Sequence, residues 1–88
     1  MSWTYSFTEQ ALKQLRKLDR TTQRRILNWL DARVLGADNP KQWGKELKGD
    51  FTGLWRYRVG DYRVVCQLKK DDLIVLVIRV RHRKNIYH

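Results

Sequence analysis

One cysteine, one proline and two histidines are the whole stock of those residues in an 88-residue chain. Each shortage excludes something. A lone Cys66 leaves no internal disulfide framework and no multi-cysteine metal site. The histidines, His82 and His88, both stand at the extreme C-terminus, so a two-histidine acid–base pair would have to come from there alone. The nine acidic residues are scattered, which argues against a two-metal nuclease, because that chemistry wants clustered carboxylates. There is no nucleophile elbow, no phosphate-cradling glycine loop and no zinc-ligand spacing. Metal and cofactor are therefore both expected to be absent from the chemistry. No charge-free apolar run approaches the ~18 residues needed to cross a bilayer, and the first residues do not read as a signal peptide. The expectation is a cytoplasmic protein with no membrane partner.

What the chain has in excess is positive charge: 19 Lys and Arg against nine Asp and Glu, a formal net charge of +10. A field of that size attracts polyanions and speeds encounter with them. Residues 1–50 hold ten basic and six acidic residues, and 51–88 hold nine and three. In the second stretch the basic residues are mostly arginines, whose planar fork matches phosphate oxygens. Nucleic acid or an acidic protein is the expected partner. With 42% hydrophobic residues, four of them Trp among 88, there is apolar mass for one core, and residues 1–88 read as a single domain.

The pattern along the chain predicts an α+β fold. Trp3 to Phe7 alternates as a short strand would. Ser6 and Glu9 have capping-box spacing, with Thr8 as the competing N-cap. Phe7, Ala11, Leu12, Leu15 and Leu18 then recur at helical intervals, and Ile26, Leu27, Leu30 and Val34 mark a second helix that Gly36 stops. The short link between the two predicts an antiparallel hairpin. Asn39-Pro40 breaks the chain, and the stretch to Gly53 reads as ordered loop or a partial turn. From Gly53 the period changes to two, over Leu54 to Val59, Tyr62 to Leu68 and Leu73 to Val80. The order read from the pattern is therefore β-α-α-β-β-β, with hairpin turns between the last three strands.

If Gly60 and Asp61 form a two-residue hairpin turn, Val59 pairs with Tyr62, Arg58 with Arg63, and Tyr57 with Val64. Trp55, Tyr57, Val59, Tyr62 and Val64 then share a core face, while Arg56, Arg58 and Arg63 share the other. Arginines directly opposite one another repel, and these two strands carry no carboxylate on that face. The arrangement is suited to an anion. Solvated arginines on a wet sheet face, met by carboxylates from elsewhere, are the plainer alternative. A metal-free cut of RNA would need cations and a late-titrating group such as Tyr87, and the tail Arg81-His82-Arg83-Lys84 supplies cationic neighbours for it.

Leu47-Lys48-Gly49, the run Gly53-Leu54-Trp55-Arg56-Tyr57-Arg58-Val59-Gly60-Asp61-Tyr62-Arg63-Val64-Val65, then Arg81-His82-Arg83 and Ile86-Tyr87, resemble the RelE/ParE toxin superfamily, above all its RelE branch. The resemblance covers nearly the whole chain, and it implies a RelE-like α+β fold in which the N-terminal strand and helical hairpin pack on a small, mainly antiparallel sheet, in agreement with that order. It implies a toxin of a type II toxin–antitoxin system that enters the A site of the 70S ribosome and cleaves the mRNA there. The 2′-hydroxyl attacks the adjacent phosphate, leaving a 2′,3′-cyclic phosphate and a 5′-hydroxyl. By resemblance, Arg63 holds the scissile phosphate and Arg83 stabilises the charged transition state. Tyr87 stacks on or orients a base and could help activate the 2′-hydroxyl. Arg56 or Arg58 supplies a general-base or electrostatic role. Lys45, Lys48, Arg81, His82 and Lys84 are the accompanying candidates for contact with RNA or ribosome. Strict alternation along the last strand puts Arg83 on the face opposite Arg63 unless the strand bulges or ends first.

The resemblance also implies a cognate antitoxin, acidic and RelB-like, and operator DNA bound only by the toxin–antitoxin complex. Two other readings stay open. A ParE-like protein would inhibit DNA gyrase by contact, though that branch generally lacks the arginine and tyrosine set. A plain nucleic-acid-binding module would show exposed stacking aromatics on the arginine face, and none is expected there except Tyr87.

Overall fold

The computed structural model describes residues 2–49 and 53–85. Strand β1 (Thr4–Phe7) leads into helix α1 (Glu9–Arg16) and helix α2 (Arg20–Arg33). A short 3-10 turn over Pro40–Trp43 and a three-residue strand β2 (Gly44–Glu46) follow, then β3 (Leu54–Val59), β4 (Tyr62–Lys69) and β5 (Ile74–His82). The strands form one sheet in the order β1-β5-β4-β3-β2, antiparallel throughout except that β1 runs parallel to β5. The predicted architecture is the observed one, with one addition. The stretch expected to be ordered loop or a partial turn forms the turn at Pro40 and also contributes the edge strand β2.

Local chemistry explains the helix boundaries. Thr8, not Ser6, caps α1, its hydroxyl accepting the Ala11 N–H at 3.1 Å. The Gln23 amide donates to the Leu18 carbonyl at 2.7 Å, which ties the link between the helices. Gly36 turns the chain at φ 78°, where a side chain would be strained, and donates its N–H to the Trp3 carbonyl.

Both helices cover one face of the sheet. Ala11 and Leu15 of α1, Ile26 and Leu30 of α2, and Val34 beyond it meet Tyr57, Val59, Val64, Cys66, Val75, Val77 and Val80 in one buried cluster. Trp29 joins its edge, 5.0 Å from the Tyr57 ring between centroids. The Tyr57 hydroxyl donates to the Pro40 carbonyl at 2.6 Å, so the core also anchors the turn before β2. Gly44 allows that edge to close: a Cβ there would lie 2.4 Å from the Arg56 carbonyl oxygen and from Trp55 Nε1.

Burial gives the fold an alkaline limit. It pushes the Cys66 thiol above its ordinary 9.0 and the Tyr57 hydroxyl above 10.0. Tyr5 is pushed up to about 12, first by burial and then by its hydrogen bond to Asp31 and the charge of that carboxylate. As pH rises through about 9 to 10 the unfolded chain loses these protons before the folded chain does, so it binds fewer of them and stability falls. The chemical midpoint of unfolding is expected to be lower at about pH 10.5 than at about pH 8. Cys66 is expected to resist thiol reagents until the chain unfolds. Labelling in the native state at the rate of a free thiol would contradict the burial that causes the shift.

Candidate functional site

The Gly60-Asp61 hairpin has the register expected of it: Val59 faces Tyr62, Arg58 faces Arg63, and Tyr57 faces Val64. Gly60, at φ 59°, supplies the left-handed turn residue. Because Tyr57, Val59 and Val64 are buried, the alternation turns Arg56, Arg58 and Arg63 to the face that the helices leave uncovered.

What happens on β5 decides the site. Val77 pairs with Cys66 and Arg79 with Val65, so Ile78 is an extra residue with no partner on β4. This bulge changes the phase of the strand. Val75 and Val77 point to the core before it, and Val80 points there after it. Without it, Arg79, Arg81 and Arg83 would follow Val77 into the core side. With it, Arg81 stands opposite Arg63 and Arg79 opposite Val65. Beyond Phe7, β1 no longer borders β5, and the Val80 N–H is taken instead by the Gln14 side-chain oxygen at 2.7 Å. Helix α1 thus helps hold the strand just past its irregularity.

The result is two rows of cations across the uncovered face. Arg58, Arg63 and Arg81 form one on β3, β4 and β5. Lys45, Arg56, Val65 and Arg79 form the other, beginning on β2. Adjacent strands lie about 4.8 Å apart, so Arg58, Arg63 and Arg81 form a closely spaced line of positive charge, while in the second row the uncharged Val65 separates Arg56 from Arg79. Arg83, in a 3-10 turn over Arg83–Asn85, closes one end. With Arg58, Gly60, Asp61, Tyr62 and Arg63 it lines a cleft of about 180 Å³. Its backbone N–H donates to the Asp61 carbonyl at 2.8 Å, and its Nε lies 3.8 Å from the Asp61 carboxylate. The strands supply no carboxylate to this face; the turn supplies one. Both side chains of that ion pair are more than 60% exposed, so it leaves the guanidinium largely available to an anion.

The other candidates divide. Lys45 and Arg81 lie in the rows. His82 does not: its ring meets Tyr62 edge-on at 5.2 Å, beside Gln14, Lys17 and Leu18 on the helix side of the sheet. Its Nδ1 accepts the Lys84 N–H at 3.2 Å. Lys48 and Lys84 are exposed, Lys48 beyond β2 and Lys84 in the last turn. Tyr87 lies outside the described residues. Among the described residues, no three His, Cys, Asp or Glu come together in a way that could hold a metal ion, and no helix is long and apolar enough to cross a membrane.

Two members of this surface were not singled out from sequence. Arg79 enters only through the bulge, for which the apolar run Ile74 to Ile78 carries no signal. Trp43, 46% exposed, borders a second cleft of about 280 Å³ with Gln42, Gly44, Lys45, Arg56 and Arg58. It corrects the expectation that no exposed aromatic other than Tyr87 accompanies the arginines. The exposed indole comes from the stretch after Asn39-Pro40, where the sequence predicts ordered loop or a partial turn and no site residue before Lys45.

Comparison with known proteins agrees with this fold. The family model described as the ParE toxin of type II toxin–antitoxin systems matches residues 5–87. The toxin RelG of Mycobacterium tuberculosis is 32% identical over 77 residues, covering 76% of this chain and 88% of the relative. Among solved structures, the M. tuberculosis toxin–antitoxin complex RelBE2 has a chain that superposes with a TM-score of 0.80 at 25% identity, over 94% of this chain and all of that one. The intact Escherichia coli RelBE toxin–antitoxin complex gives 0.72 at 26% identity, over 92% and 96%. The chain belongs to the RelE/ParE superfamily of toxins from type II toxin–antitoxin systems.

Proposed function

We propose that the protein is a ribosome-dependent endoribonuclease that cleaves mRNA in the A site, and that its cationic sheet face is the active surface. The observation that carries this reading is the placement of Arg58, Arg63 and Arg83 around one cleft. A scissile phosphate held there meets guanidinium groups from two strands and a terminal turn. Attack by the 2′-oxygen on phosphorus forms the cyclic phosphate while the bond to the 5′-oxygen breaks. The 2′-hydroxyl gives up its proton, and the departing 5′-oxygen takes one. Negative charge grows on the phosphoryl oxygens during the step, and preorganised cations aimed at that charge lower the barrier.

Arg63 grips the phosphate, and Arg83 meets the developing charge. Arg58, and Arg56 beside it, act by charge, since a guanidinium is a poor proton acceptor. Tyr87 is the proposed base-stacking residue and candidate proton acceptor. Lys45, Lys48, Arg81 and Lys84 carry the RNA or rRNA backbone, and the ribosome supplies much of the positioning. The same net charge of +10 calls for an acidic antitoxin that covers this surface when the toxin is silent. Related chains are solved as toxin–antitoxin complexes, and operator binding would belong to such a complex.

The test is cleavage of a short mRNA on purified 70S ribosomes with an empty A site, run beside the same mRNA without ribosomes. Cutting within the A-site codon, only on the ribosome, with cyclic-phosphate ends, is the expected result. No cut by well-folded protein, together with inhibition of gyrase supercoiling, would replace this reading by the ParE-like gyrase-inhibitor one.

A further inference from the structure

Trp43 is one of only two large hydrophobic residues among the described residues that are substantially exposed, and its surroundings are cationic. Arg33 reaches over its ring at 5.7 Å, and the same guanidinium lies 4.9 Å from the Trp29 centroid. Lys45, Arg56 and Arg58 line the cleft that the indole borders. The ring is held on a fixed support. Asn39 caps the turn by accepting the Lys41 N–H, Pro40 is buried, and Tyr57 bonds the Pro40 carbonyl. Gly44 then seats the following strand tightly against Trp55 and Arg56. A rigid indole loses little conformational freedom on binding, and every nucleobase offers it a π-face.

Arg58 decides what this second cleft is for, because it lines both this one and the cleft of Arg63 and Arg83. An RNA strand whose scissile phosphate sits at Arg63 therefore passes Arg58 on its way to Trp43. We infer that Trp43, with Lys45, Arg56 and Arg58, forms a nucleotide subsite next to the cleavage cleft, the indole stacking on an unpaired base while the cations hold its phosphate. Around the indole stand Gln42, Lys45, Arg56 and Arg58, and those three cations complement a chain that carries a phosphate at every residue. The subsite rests on the reading of the arginine face as an RNA surface, and it does not require that the RNA be cut.

The experiment is accordingly done first without cleavage. A 2′-O-methyl RNA hexamer, which lacks the attacking hydroxyl, is titrated into the free protein while the indole N–H signals of its four tryptophans are followed by NMR, Trp43→Phe assigning the signal of interest. The Trp43 signal is expected to move with this oligomer and to stay still with an abasic oligomer of equal charge. Trp43→Ala is expected to weaken binding by about 5- to 150-fold, the range for loss of one stacked base, and Trp43→Phe to retain most of it. On ribosomes the alanine variant should raise KM more than it lowers kcat. Equal movement with the abasic oligomer, or no movement with either, overturns the subsite. So does a Trp43 signal that responds to an antitoxin peptide and ignores RNA. If Trp43→Ala does not fold, the wild-type titration decides alone. Failure to cleave on ribosomes while the indole still responds to RNA removes the nuclease reading and leaves the subsite. Cleavage that Trp43→Ala leaves unchanged, with a silent indole, removes the subsite and leaves the nuclease.

Discussion

Changing Arg83 to alanine is expected to slow cleavage of ribosome-bound mRNA by about 100- to 1,000-fold, the usual loss when one preorganised group facing transition-state charge is removed. The effect should fall on kcat, because Arg83 is proposed to meet charge that develops only as the bond breaks. Stability should barely change. The ion pair with Asp61 is exposed on both sides, and such a pair contributes about 0–1 kcal/mol. Arg83→Lys should recover part of the rate, since it restores the charge and loses the planar fork.

Arg58→Gln gives the complementary result. Removing one of two arginines that face each other across β3 and β4 relieves repulsion, so the melting temperature should hold or rise slightly while KM increases. Circular dichroism and ribosomal cleavage on the same preparations check both variants. An Arg83→Ala protein that cuts like wild type keeps the function and discards this arginine's role. Severe unfolding of Arg58→Gln would make Arg58 a structural ion-pair member and remove it from the site.

These residues were not equally legible. Arg56, Arg58 and Arg63 could be placed from sequence because Gly60-Asp61 fixes the hairpin register and the residues between them alternate with the core. Arg79, Arg81 and Arg83 could not. They share one parity, and the apolar run before them, Ile74-Val75-Leu76-Val77-Ile78, offers hydrophobic residues to both faces. Nothing in it says where a residue is skipped. The bulge comes from tertiary pairing with β4 and is accompanied by a side chain from α1, Gln14, which completes a backbone hydrogen bond. The segment from Pro40 to Glu46 escaped for another reason. Gly44-Lys45-Glu46 is too short to show a period and includes no apolar residue, so its strand exists through pairing with β3 and the close approach that Gly44 permits. Trp43 was hidden along with it.

Tyr57 is where the core and the functional face meet, and its replacement carries the largest expected loss of stability. It is fully buried between Arg56 and Arg58 in sequence, so the side chain that fixes β3 from inside fixes the stems of two arginines outside. Tyr57→Ala should cost about 3–5 kcal/mol, as deletion of a buried ring generally does. A small domain has only about 5–15 kcal/mol in total. Tyr57→Phe separates the two jobs of the side chain. It keeps the ring against Trp29 and leaves the Pro40 carbonyl without its donor, a loss of about 1–3 kcal/mol. That loss should be local first: amide exchange over Gly44–Glu46 should quicken more than exchange over β4, because the turn before β2 hangs on this hydroxyl. If instead exchange rises evenly across the sheet, the hydroxyl serves the core as a whole, and the edge strand with its indole is held by Gly44 and β3 alone.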